Sequence, residues 1–317
     1  MRPAVSESRR AGGREPRGPG RGTLRGREAR TGLALISPTV VLVLVLVVLP
    51  ILWTVVLAFQ DLKLIRLRTD GLFGNFTFEN FADVFGSPGF WESLVTTLVY
   101  ACGGTAASIG LGLVAALALR RGFRGRTLVR ASLLLPYVAP VVAATFVWGV
   151  MLNPQFGIVN ELGTGLLGWD EPIPFLSERP TALLTVIVFE MWRSFPFAFL
   201  FITARLQAAP ATLEEAARVD GATPTQVFRH IVWPQLLPTI AVLALLRFIW
   251  TFNNFDDIYL LTGGGAGTQV VSVRVFDYLT ARGDIGAAAA QALVLAAILA
   301  VLVAIYLKLF GRPEEVA

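Results

Sequence analysis

Of the 317 residues, 55% are hydrophobic and only 15% charged, with a mean hydropathy of +0.65. Soluble domains carry about 25% charged residues, so this composition excludes a disordered chain and argues against a water-soluble enzyme. A single cysteine and a single histidine exclude a disulfide framework and a thiolate metal cage, and leave little for histidine-based catalysis. The pI near 9.9 would suit a nucleic-acid binder, but so apolar a chain would not.

Residues 1–32 are rich in Arg, Gly and Pro and lack apolar periodicity, which predicts a disordered cytoplasmic tail near acidic lipid. Crossing a membrane as a helix takes about 20 apolar residues. The first such block, 33–59, is too long for a signal peptide, lacks a small-residue cleavage site, and is read as a retained span. Further blocks lie at 93–119, 131–152, 181–204, 237–260 and 285–307. Continuous apolar blocks predict helices rather than the alternating strands of a barrel. The expected fold class is therefore an all-α integral membrane protein with six transmembrane helices.

Charge sets the expected orientation. The segments 1–32, 120–130, 205–236 and 308–317 hold 19 of the 27 Lys and Arg residues, and the intervening segments hold six. Cationic loops stay on the cytoplasmic side, which predicts that both termini are cytoplasmic. The cluster Arg120, Arg121, Arg124, Arg126 and Arg130 is the strongest topological anchor. Within the spans, small residues recur at four-residue spacing. Gly104, Ser108, Gly112 and Ala116 do so in the second span, and Ala288, Ala292, Ala296 and Ala300 in the sixth, as close helix packing requires.

The loop 205–236 carries more information than a linker. Thr212 followed by Glu215 has the form of a capping box and predicts a helix through about Val219. Asp220-Gly221 supplies a left-handed turn, and Thr223-Pro224 with Gln226 starts a second helix, expected to run to Pro234. Leu213, Val227, Phe228 and Ile231 are too few to build a domain and are read as a knob that inserts into a partner.

The run Glu215-Ala216-Ala217, then Asp220-Gly221-Ala222, Phe228, Ile231 and Pro234, resembles the EAA loop of binding-protein-dependent ABC transporter permeases, with Trp233 standing where that family usually has Leu. The resemblance implies that Glu215, Ala216, Ala217, Asp220, Gly221, Ala222, Phe228, Ile231 and Pro234 form the coupling element that docks on an ATP-hydrolysing subunit. Phe78-Glu79-Asn80-Phe81 and the stretch from Phe255 to Gly265 resemble the carbohydrate-uptake group, which includes the maltose-type and glycerol-3-phosphate-type systems. With these segments the likeness covers about residues 33–310, nearest to the first of the two permeases.

It implies a type I ABC importer transmembrane domain over 93–307, in the plasma membrane of a bacterium. The implied partners are a second homologous permease, two ATPase subunits, an extracytoplasmic solute-binding protein and membrane lipid, with no nucleic acid. No catalytic residue, metal or cofactor is expected in this chain, since ATP and Mg would be bound by the partner ATPase. The run Gly263 to Thr268 is glycine-rich but lacks the lysine of a phosphate loop.

Five ionisable residues lie within spans, and such groups usually face a cavity or each other. Glu190 and Arg193 sit three apart on the fourth span, able to pair. On the fifth, Trp250, Asn253, Asn254 and Asp257 share a helix face, flanked by Phe255 and Asp256. Amides, carboxylates and aromatic rings suit a polyhydroxylated solute, so these residues are candidate pathway residues. The competing reading of Glu190, Arg193 and Arg247 is a structural ion-pair network. Two alternative functions remain: an ion-coupled secondary transporter using Glu190, Asp256 and Asp257, and an ABC permease for a non-sugar solute.

Overall fold

The structure, a computed structural model, describes residues 32, 34–71 and 73–310. The expected tail therefore lies outside the described residues, apart from Gly32. The chain divides into two compact units at residues 54 and 55. The first holds most of helix α1 (Ala34–Ala58), which contains a π-turn over Leu44–Val48. The Leu49 N–H reaches back five residues to the Leu44 carbonyl, immediately before Pro50. A proline ring clashes with the carbonyl four residues earlier, and the widened turn relieves that clash.

The second unit begins with the end of α1. A two-stranded antiparallel ribbon pairs β1 (Gln60–Asp61) with β2 (Asn75–Phe76), in the register Gln60 to Phe76. Helix α2 (Glu79–Gly86) places Asn80 so that its Nδ2 donates to the carbonyls of Ala58 and Gln60, at 2.9 Å each. This satisfies backbone acceptors where α1 ends.

Helix α3 (Pro88–Ala118) packs along α7 (Thr181–Ala208), the most extensive contact between two helices in this unit. The small-residue stripe explains the closeness. Gly104, Ser108, Gly112 and Ala116 are all buried, and a Cβ on Gly112 would lie 2.8 Å from the Phe199 backbone nitrogen. The stripe expected on the sixth span is only partly used. Ala288 is buried, but Ala296 and Ala300 are exposed, because burial there wraps the helix at 286–291 instead of following one face.

The third apolar block is not one straight helix. Helices α4 (Arg126–Val138) and α5 (Val141–Met151) meet at 97°. Ala139 and Pro140 are extended, as the residue before a proline tends to be, and Pro140 cannot donate a helical hydrogen bond. Helix α6 (Ile158–Leu166) follows, and then α7. Five helices are long and apolar enough to cross a membrane among the described residues, or six if the bent pair is one span.

Helix α8 (Ala211–Val219) is joined to α7 by two extended residues, Ala209 and Pro210. Here the expected Thr212–Glu215 capping box does not form. Pro210 takes the N-cap position, so α8 starts at Ala211 and Thr212 falls inside its first turn. The elbow does form as expected. Gly221 has φ +83°, its N–H bonds to the Arg218 carbonyl, and the Ala222 N–H bonds to the Ala217 carbonyl at 2.9 Å. This is a Schellman helix stop. The Thr223–Gln226 capping box is present.

The helix that follows, α9 (Pro224–Phe252), does not stop at Pro234. A second π-turn, Phe228–Val232, precedes Trp233-Pro234, and the Trp233 N–H reaches the Phe228 carbonyl. The device is the same as at Pro50, so the loop helix and the fifth span are one rod. The fifth span instead ends at Phe252. Asn253 to Phe255 break the helix, and the chain resumes as α10 (Asp256–Thr262). Helices α11 (Val271–Thr280) and α12 (Ile285–Phe310) follow, the last among the described residues.

Candidate functional site

Two groups of candidate residues sit at different places along the bundle. The first is the α8–elbow–α9 segment. Its apolar residues do not form a free knob. Val227 is buried, while Phe228 and Ile231 pack on the core made by Phe199, Ile202, Leu206 and Leu236. They fasten the loop to the bundle because α9 continues through Pro234 and carries them inward. Leu213 remains exposed.

Of the nine residues singled out in this loop, Glu215, Ala216, Asp220, Gly221 and Pro234 are exposed, and Ala217, Ala222, Phe228 and Ile231 are half-buried. A cleft of about 810 Å³ opens beside α8 between the end of α3 and the start of α9, lined by Arg120, Arg121, Glu214, Glu215 and Arg218. A smaller hollow of about 370 Å³ lies on the other side of the elbow, against Asp220, Gly221 and His230. The segment thus presents a surface with both charge signs, held by the Schellman stop at Gly221 and the Thr223–Gln226 box.

The second group surrounds the break in the fifth span. Glu190 on α7 is fully buried and pairs with Arg247 on α9. The Thr251 hydroxyl donates to Glu190 Oε1 at 3.0 Å, and the Ser194 hydroxyl does so at 3.1 Å. Arg193, one turn further along α7, lies 3.1 Å from Asp257 Oδ1 and 3.9 Å from Glu190 Oε2. Asp257 also accepts from Asn254 Nδ2 at 2.9 Å and from the Tyr100 hydroxyl at 3.4 Å. Two guanidinium groups and two carboxylates thus balance in the bundle interior. A buried charge requires this, since an unpaired one costs several kcal/mol.

The expected shared face of Trp250, Asn253, Asn254 and Asp257 does not exist. The helix ends at Phe252, and the change of direction turns Asp257 inward to Arg193 while Asn253 stays exposed. Asp256 and Asp257 occupy the first turn of α10, where carboxylates complement a helix N-terminus. Trp250, Asn253 and Asp256 are exposed. Phe255 stacks on Tyr259 and also packs against Phe276.

Sequence reasoning missed Tyr100, Ser194 and Thr251, whose hydroxyls complete this network, and Glu214, which pairs beside α8 with Arg120, read from sequence only as a topological anchor. Hydroxyls in a span carry no distinctive signal. Arg120 did carry one, since it immediately follows the apolar block 93–119, where a cation complements a helix C-terminus. Among the described residues no group of three or more His, Cys, Asp or Glu side chains is placed to hold a metal.

Residues 108–312 match the family described as "binding-protein-dependent transport system inner membrane component". The chain is 37% identical over 266 residues to an inner membrane ABC transporter permease protein, YcjO, of Escherichia coli K12, covering 83% of this chain and 88% of that one. It is 32% identical over 293 residues to the trehalose/maltose transport system permease protein MalF of Thermococcus litoralis, covering 91% and 96%. In fold it is similar to a chain of a bacterial ABC transporter involved in the import of the acidic polysaccharide alginate. That match has a TM-score of 0.78 at 22% identity, over 92% of this chain and all of that one.

Proposed function

The chain belongs to the family of binding-protein-dependent transport system inner membrane components, the ABC transporter permeases, and from that membership we propose that it is one of two permease subunits of an ATP-driven sugar importer. The second subunit is a homologous permease, and together they enclose the pathway. Two ATPase subunits bind ATP and Mg, so this chain performs no catalysis of its own. An extracytoplasmic solute-binding protein delivers the sugar. The bias of Arg toward the segments 1–32, 120–130 and 205–236 supports an orientation with the α8 end and both termini in the cytoplasm of a bacterial cell.

The observation that carries this reading is the surface of α8. Its end is fixed by the Schellman stop at Gly221, its neighbour α9 is fixed by the Thr223–Gln226 box, and Glu215 is exposed over a cleft large enough to take part of a partner. A rod that runs unbroken from this surface to Phe252 carries a push at α8 to the break at 253–255. There the exposed Trp250, Asn253 and Asp256 are the groups that meet the solute. Stacking on an apolar sugar face and hydrogen bonds to hydroxyls suit this set. The trehalose/maltose relative supports a sugar cargo by its name.

Glu190, Arg193, Arg247 and Asp257 are charge-balanced within the bundle, which supports a strut and weakens the ion-coupled alternative. The cargo is tested by screening the cognate binding protein against a panel of mono- and disaccharides, amino acids and phosphate, then measuring ATP hydrolysis by the assembled complex. Stimulation by a bound sugar is expected. Stimulation by an amino acid or phosphate alone would transfer the chain to a non-sugar system.

A further inference from the structure

Two consecutive glutamates of α8 point in different directions. Glu214, in the first turn, is 7% exposed and lies between Arg120 and Arg218. Glu215 is exposed, and among the described residues its side chain makes no hydrogen bond or ion pair. The partner of Glu214 comes from another helix. Arg120 stands two residues beyond the last residue of α3, where a cation complements the negative end of the helix dipole. Glu214 stands where an anion complements the positive end of α8. The ion pair therefore joins two helix ends with the favourable sign at both.

The mechanical setting gives this pair a task. Helix α8 has nine residues and hangs on two backbone joints. One is the extended Ala209-Pro210 pair, and the other is the left-handed Gly221. Of the two, Gly221, which has no Cβ, is the one that absorbs φ and ψ changes readily, whereas Pro210 holds its own φ and restricts Ala209. Ala217 gives α8 a partial seat on the core, and Arg120 gives it a tie to α3. From Arg120, α3 runs back to Gly112, where it meets the α7 backbone too closely for a Cβ. Helix α7 in turn carries Glu190 and Arg193, which hold both sides of the break in the fifth span.

We propose that Arg120 is a positioning residue for energy coupling: its ion pair with Glu214 fastens α8 to the end of α3, so that a displacement of α8 by the ATPase reaches the α3–α7 pair. Glu215, left free by this arrangement, is the carboxylate presented to the partner. The proposal rests on the coupling role given to α8 above. It adds a route through α3 that runs beside the α9 rod.

The test uses the full complex with its second permease, ATPase subunits and binding protein in proteoliposomes, and reads ATP hydrolysed per solute taken up. Losing one such tie corresponds to a change of roughly 2- to 10-fold. The ratio should rise by about that factor in Arg120→Gln and in Glu214→Gln, and no further in the double variant, because both remove the same tie. Arg120→Lys, which keeps the charge, should recover most of the coupling, a result that general loosening of the fold would not give. An unchanged ratio in both single variants, or a double variant that compounds them, overturns the proposal. If Arg120→Gln does not assemble, Glu214→Gln, which keeps the side-chain size, decides by the same ratio. A wild-type complex without ATP-dependent uptake would overturn the coupling reading itself, and the tie with it.

Discussion

Arg247→Met isolates the ion pair with the least exposed partners among the described residues. Arg247 and Glu190 have side chains 7% and 1% exposed, so removing the guanidinium strands a carboxylate in the bundle interior. Breaking such a pair costs about 3–5 kcal/mol. Ser194 and Thr251 still donate to Glu190, and Arg193 lies 3.9 Å from it, which places the expected loss near the lower bound. Adding Glu190→Gln removes the stranded charge while leaving an acceptor for both hydroxyls. The double variant should therefore be more stable than Arg247→Met alone, at a net cost of about 1 kcal/mol. The measurement is an unfolding titration in detergent micelles, followed by tryptophan fluorescence, for both singles and the double. An Arg247→Met cost below about 1 kcal/mol, or a double equal to the sum of the singles, would refute a mutually compensating buried pair.

Three further outcomes follow from particular contacts. Gly221→Asp meets open space, so its cost is conformational, about 1 kcal/mol from the left-handed φ, yet it should abolish ATP-driven uptake at unchanged membrane abundance on an immunoblot. Gly112→Val drives a side chain into the Phe199 backbone and should cost at least about 2 kcal/mol by thermal unfolding, while Gly110→Ala, with nothing within 4 Å, should cost a few tenths at most. Asn253→Leu should raise the KM for solute by about 5- to 10-fold, the worth of a hydrogen bond near 1 kcal/mol, and unchanged kinetics would remove Asn253 from the pathway.

What the sequence discloses follows the range over which each signal acts. Apolar blocks locate the spans, because a membrane helix is specified by its own residues. The Gly221 stop and the Thr223–Gln226 box are equally local, and both are where the residues place them. The Thr212–Glu215 box was misleading because Pro210 competes for the same helix start and wins by its fixed backbone. The break at Asn253 is hidden within a run that stays apolar on both sides. It depends on partners 60 residues away, Glu190 and Arg193, which draw Arg247 and Asp257 into one network. Prolines misled in both directions: Pro140 bends the third block sharply, whereas Pro234 is absorbed by a π-turn, as Pro50 is in the first span, and leaves its helix continuous.

On this mechanism, ATP drives the chain through the α8 surface. This is tested most directly by solute uptake into proteoliposomes holding the complete complex, comparing enclosed ATP, enclosed ADP, and an imposed proton or sodium gradient without nucleotide. Uptake is expected with ATP only, and is expected to be lost when Glu215 is changed to Ala. Uptake by the complex driven by the ion gradient without nucleotide would contradict this mechanism.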